Sequence, residues 1–182
     1  NLFWLERAEW PFRNPTFYFD WNLDFLSPDP YLTKPYAPLD ERMLDFTKWL
    51  SNLPRAVGQI RDNLRTPMPR TWVNQCVASF GGMVTFLRDD APGIFAKVKD
   101  KQLRKEFADA NRDAIAALQE LAAWLDSQRA KATEDYAIGA ELFSEMLKRT
   151  EGVDLPLDRL LELGRADLEH NLVALDEACK EF

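Results

Sequence analysis

The spacing of the apolar residues in the second half of the chain limits its fold more than any other feature. Leu103, Phe107, Ala110, Ala114, Leu118, Leu121 and Leu125 recur at intervals of 4-3-4-4-3-4. Leu157, Leu161, Gly164, Leu168, Leu172, Leu175, Cys179 and Phe182 recur at 4-3-4-4-3-4-3. A repeat close to 3.6 places all these side chains on one face of an α-helix and is incompatible with the two-residue alternation of a half-buried strand. Charged residues occupy the opposite faces, so both segments read as long amphipathic helices.

The same reading extends back to Pro38. Leu39, Met43, Phe46, Leu50 and Leu53 form an apolar stripe, which Val57, Ile60 and Leu64 continue beyond Pro54. Proline fits the first turn of a helix or kinks a long one, so Pro54 marks either a new start or a bend. Pro67 and Pro69 end this run, and Trp72, Cys76, Phe80, Val84 and Leu87 open the next. Gly81 and Gly82 interrupt that helix, where they read as small residues permitting close helix packing. A shorter helix over about 139–148 would turn Leu142, Phe143, Met146 and Leu147 inward. No segment alternates with period two, so the class is all-α: an irregular bundle of about six or seven helices.

The N-terminal quarter is built differently. It holds 13 of the 22 aromatic residues in positions 1–49, and nine of the 11 prolines lie before residue 70. Leu2 to Phe12 could form a short helix ending near Pro11, whereas Pro28, Pro30, Pro35 and Pro38 exclude regular helix between them. Each buried aromatic removes about 150–250 Å² from water. Residues 1–38 are therefore expected to be an irregular strap wrapped on a helical body spanning 39–182, within one helical domain or fragment.

At 182 residues such a chain buries enough surface to fold without disulfides or metal. Net charge is −7, and the acidity is concentrated: residues 134–182 carry 13 acids and 5 bases, while 1–133 are nearly balanced. An acidic chain with no basic stripe argues against nucleic acid as a partner. The densest basic run, Lys97, Lys99, Lys101, Arg104 and Lys105, is broken by Asp100 and reads as a solvated helix start. The longest run free of charge, Thr71 to Leu87, is too short and too polar to span a membrane. No leader pattern opens the chain, and the compartment is left undecided.

Residue chemistry offers few sites. The one histidine, His170, excludes the familiar two- and three-histidine metal motifs. Cys76 and Cys179 lie too far apart in sequence for a redox or zinc motif and read as two buried free thiols, with a single disulfide as the alternative. Asp167 and His170 share a helix face, a carboxylate–imidazole arrangement that a general base can use, but the seam through Leu168 and Leu172 puts His170 toward solvent. Glu141 and Glu145 also share a face. With Lys148 and Arg149 following, they read as an ion-paired surface. Asp89-Asp90 read as a helix end. No catalytic, cofactor-binding or metal-ligating residue is assigned.

Several phrases taken in order resemble one family. Asn14-Pro15-Thr16-Phe17-Tyr18 resembles its NPxxY segment, and Arg42-Met43-Leu44 with Leu53-Pro54-Arg55-Ala56 its "RL…xP" step. Asp62-Asn63-Leu64 with Pro67 resembles its "NL…P" element, and Ala114, Ala117, Trp124 and Leu125 its "A…AL…WL" helix. Tyr136 to Phe143 is similar to its "(F/Y)xxGxExY" segment, and Leu160 to Gly164 to its "L…LG" helix start. The family is the bacterial one catalogued as domain of unknown function 885, which is similar to zinc metallopeptidases of the thermolysin-like superfamily.

That resemblance implies that the family's metal signature, of the form H-E-x-x-P-G-H, lies downstream of these segments; Leu168-Glu169-His170-Asn171 does not match it. Asn14, Tyr18 and Gly139 match family positions and carry structural roles, with Gly139 placed where an extended segment turns into a helix. The expected function is then that of a non-catalytic helical portion of a zinc peptidase-like protein, forming part of the wall around a peptide-binding cleft. Its partners would be the remainder of the parent protein and a peptide substrate, and zinc would be held only in that downstream part. The absence of an initial Met and the seam running to Phe182 agree with a part of a longer chain. The alternative is a stand-alone helical interaction or scaffold module.

Overall fold

A computed structural model describes residues 2–19 and 26–180. Its chain divides into two compact units, residues 10–136 and residues 1–9 with 137–182.

In the unit spanning 10–136, two short helices, α1 (Trp10–Arg13) and α2 (Asp29–Leu32), lie in the opening segment. Helix α2 departs from the expectation of no helix between Pro28 and Pro38: Pro30 sits in its first turn, where no N–H is needed. Three long helices follow: α3 (Leu39–Asn63), α4 (Arg70–Asp89) and, after the single turn α5 (Ala91–Ile94), α6 (Lys101–Gln128). Helix α6 packs against both α3 and α4. Its start is set by Asp100, whose Oδ1 accepts the N–H groups of Gln102 (2.8 Å) and Leu103 (3.1 Å) and so satisfies two donors of the first turn. From there Phe107, Ala110, Ala114, Leu118, Leu121 and Leu125 are buried along the predicted seam, with Leu103 partly covered.

Pro54 lies inside α3, which continues through it as one helix. Proline cannot donate to the Leu50 carbonyl, at a cost of about 3 kcal/mol in a helix interior. Leu50, Leu53, Val57 and Ile60 flank the site on the buried face. Burying one such side chain is worth about 1.5–3 kcal/mol, so together they offset the break. In α4 the buried face is Val73, Cys76, Phe80, Val84 and Leu87, and the expected Trp72 is only partly covered. Its Gly81 and Gly82 do not mediate close packing: a Cβ at either would meet no atom within 4 Å.

Phe46 of α3 is fully buried and forms the hub of an aromatic cluster. It stacks on Trp49 (5.4 Å between centroids) and Phe95 (5.7 Å) and lies 6.1 Å from both Phe107 and Tyr31. Residues of the opening segment that belong to this unit join the same core. Phe19 meets Phe80 edge-on at 4.3 Å, and Leu26 and Leu32 are buried. Tyr18 donates its hydroxyl to the Pro11 carbonyl (2.8 Å) and accepts from Asn63 Nδ2 (3.1 Å). Of the strap aromatics, Trp21 and Phe25 lie outside the described residues.

The start of α4 and the end of α6 are clasped. Thr133 donates its N–H to the Met68 carbonyl (3.0 Å), and Arg70 donates its N–H to that of Thr133 (2.8 Å). The Arg70 guanidinium also reaches the carbonyls of Arg129 and Ala132 (each 3.2 Å) and the Glu134 carboxylate (2.9 Å). This Pro69–Thr133 bridge is isolated, and no strand forms among the described residues.

In the other unit, α7 (Ala140–Met146) runs into a π-helical turn, Leu147–Glu151, and α8 covers Leu157–Lys180. Gly139 precedes α7 with φ 83° and ψ 161°, a region open essentially to glycine alone, and so performs the extended-to-helix turn expected of it. Gly152 ends the π turn in the left-handed conformation, φ 69°. Near the N-terminus the expected single helix is split. A π-helical turn, Phe3–Arg7, stops at Ala8, Glu9 takes φ 51°, and α1 starts at Trp10 with Pro11 in its first turn, where no N–H is needed.

The fold is all-α, as the periodicity predicts, with five helices of seven or more residues and three of four residues among the described residues. The α8 seam is where it departs from expectation. Leu161, Leu168, Leu172 and Leu175 are 53–60% exposed, and Phe143 of α7 is also exposed. Phe182, the last expected seam position, lies outside the described residues.

Candidate functional site

The residues singled out for chemistry do not assemble into one site. Asp167 and His170 are both exposed on α8. The Asp167 carboxylate accepts from Asn171 Nδ2 at 3.1 Å, one turn along, instead of orienting the imidazole. Glu145 is engaged by two arginines. Arg7 grips it through Nε and Nη2 at 3.0 and 2.9 Å, and Arg149 contacts it at 2.8 Å. Hydrogen bonding from Arg7 holds the Glu145 carboxyl below its usual range. Lys148 turns away to Asp154. Of the two carboxylates expected to form an ion-paired surface, Glu145 is paired, by Arg149 as expected and by Arg7, a partner the sequence does not reveal.

Asp89 closes α4, accepting from the neighbouring Arg88 at 2.9 and 3.1 Å. The basic run 97–105 straddles the start of α6: Lys97 and Lys99 precede the Asp100 cap, and Lys101, Arg104 and Lys105 lie in the first turns of the helix. The cysteines differ from the expected pair of buried thiols. Cys76 is buried, and burial pushes its thiol up to about 12, whereas Cys179 is exposed on α8. Both are free. No group of three His, Cys, Asp or Glu side chains able to hold a metal ion occurs among the described residues.

Among the described residues, a buried acceptor without a hydrogen-bond partner lines a cavity along α6. Arg104, Ala108, Asn111, Arg112, Ile115 and Gln119 follow one another at helical spacing and line a cavity of about 510 Å³. Arg88 closes it from the end of α4, and Phe95, Phe107 and Met43 form an apolar floor. Asn111 is 7% exposed. Its Nδ2 donates to the Leu87 carbonyl at 2.8 Å, which sets the amide orientation because a carbonyl can only accept. The other end of the amide, Oδ1, is buried with no hydrogen-bond partner. An unsatisfied buried acceptor costs about 1–3 kcal/mol.

The cavity wall is cationic. Three arginines line it and no carboxylate does. Arg88 is paired with Asp89, and Arg112 with Asp109 and Asp113. Arg104 has no carboxylate partner among the described residues. Sequence reading passes over this site, although it does carry a signal: Asn111 lies four residues after Phe107 and three before Ala114, a polar residue on the seam.

No curated protein and no solved structure matches the chain. A family model described as "Bacterial protein of unknown function (DUF885)" matches residues 6–182. That match covers the aromatic opening, the α3–α4–α6 core and both helices of the other unit, and the chain belongs to this family.

Proposed function

We propose that this chain is the helical, non-catalytic part of a zinc peptidase-like protein and contributes to the wall around a peptide-binding cleft. The observation that supports this reading most directly is the apolar face of α8. Leu161, Leu168, Leu172 and Leu175 form a continuous stripe that is 53–60% exposed, and a stripe of that kind usually marks an interaction surface. In this reading the remainder of the parent protein covers it. Zinc, its ligands and the base that activates water belong to that remainder, so residues 1–182 alone neither hydrolyse peptides nor hold zinc tightly.

The test compares the full product of the gene with residues 1–182. The expected result is stoichiometric zinc and metal-dependent peptide hydrolysis in the full product only. Zinc and metal-dependent hydrolysis in residues 1–182 would overturn the proposal, as would a full product with neither.

The same stripe supports a second reading, a stand-alone helical interaction module. The two separate on the reading frame beyond Phe182. An H-E-x-x-P-G-H motif there supports the first and a stop codon directly after Phe182 the second.

A further inference from the structure

We propose that the cavity along α6 binds a small amphiphilic anion: a carboxylate head, an apolar body, and an N–H or O–H donor. Three independent features of the site call for those three parts.

The head follows from charge. Of the three arginines that line the cavity, Arg88 is paired with Asp89 and Arg112 with Asp109 and Asp113, whereas Arg104 has no acidic partner among the described residues and is the guanidinium left for the head. A guanidinium presents a planar fork of donors that suits a carboxylate better than a spherical ion. The body follows from the floor. Pro92, Ala96, Ala108 and Ile115 line the cavity together with the buried Phe95 and Phe107, so much of its wall is apolar. A cavity of about 510 Å³ is within the range of small-molecule sites, which combine an apolar lining with a few placed polar groups.

The donor follows from Asn111. Its Nδ2 is committed to the Leu87 carbonyl, so Oδ1 cannot exchange places with it. Oδ1 is left as a buried acceptor without a partner in a side chain that is more than nine-tenths buried. Buried polar groups in folded proteins are nearly always satisfied. A ligand N–H or O–H would satisfy this one, and the ligand would then be selected by hydrogen bonding as well as by charge. Two sources carry this chemistry: a free N-acylated apolar amino acid, or the last residue of a peptide with a free C-terminus.

The experiment titrates the ¹⁵N-labelled chain with N-acetyl-L-leucine, its C-terminal amide, inorganic phosphate, and a short peptide ending in leucine. The expected result is that N-acetyl-L-leucine or the peptide shifts the Asn111 side-chain amide and the Arg104 guanidinium signals. Converting the carboxylate to the amide should weaken binding about tenfold, the loss expected for one charge-assisted hydrogen bond. Arg104→Gln, at an exposed position, should weaken it similarly while leaving the thermal transition in place. Tighter binding of the peptide assigns the site to C-termini, and tighter binding of N-acetyl-L-leucine to small molecules. The proposal is overturned if neither shifts these signals, if the amide binds as well as the acid, or if phosphate binds at the same residues as tightly as the acid does.

Discussion

Arg7 and Glu145 lie 138 residues apart in the chain and form a two-pronged ion pair, Nε to Oε1 at 3.0 Å and Nη2 to Oε2 at 2.9 Å. The pair ties the opening π-helical turn to α7 within one unit, and hydrogen bonding from Arg7 depresses the Glu145 carboxyl. A group whose folded-state pKa is depressed contributes stability that is complete above its unfolded value and is lost as pH falls through the folded one. Both side chains are reached by solvent, so the contribution is small. Arg7→Ala should lower the thermal transition slightly at pH 7, and the difference from the unsubstituted chain should shrink below the ordinary Glu value near 4.5. A difference that grows on acidification would contradict this assignment.

The two thiols should be distinguishable by their reactivity. A thiolate is the attacking species, and the Cys76 thiol is buried and pushed up to about 12. At pH 8 a disulfide reagent such as DTNB should modify one thiol per native chain, Cys179, and two after denaturation. Cys179→Ser should abolish the native reaction. Rapid modification of both thiols in the native chain would show that Cys76 is not enclosed by α4.

Glycines in two settings should respond oppositely to alanine. Gly82 sits in mid-helix with open space around its Cβ position, so Gly82→Ala should stabilise α4 by about 0.5–1 kcal/mol. At Gly139 space is also open, but the backbone is held at φ 83° and ψ 161°. Gly139→Ala should therefore destabilise its unit by about 1–3 kcal/mol. Denaturant unfolding of both variants checks the signs, and a stabilising Gly139→Ala would mean that the turn into α7 has another conformation.

The exposed stripe of α8 should tolerate charge. Leu168→Glu with Leu172→Glu should leave far-ultraviolet helicity unchanged and change stability by no more than about 0.5 kcal/mol per site, as for ordinary surface positions. Binding of the hydrophobic dye ANS should fall. Loss of helicity would indicate that these leucines are packed in solution.

Helix α6 was legible because its apolar repeat is dense and its cap, Asp100, stands directly before it. The α8 repeat is equally regular, yet its leucines are exposed, because periodicity defines a face without saying whether anything covers it. Gly81-Gly82 misled for a related reason: small residues permit close approach, but approach needs a neighbour, and none lies within 4 Å. The Arg7–Glu145 pair depends on tertiary placement, which no local rule supplies. Asn111 could have been noticed as a polar residue on the α6 seam. What could not be read is that its amide would be half satisfied, since that depends on the Leu87 carbonyl of another helix.

The clasp between Arg70 and residues 129–134 has a mechanical consequence. Five hydrogen bonds join the root of α4 to the tail of α6 just before the chain crosses from one compact unit to the other at Tyr136. Tension applied from residue 137 onward is thereby delivered to α4 before it can peel turns from α6. The connection is placed as a strain relief, and the seam of α6 should stay wound while the segment beyond it is pulled.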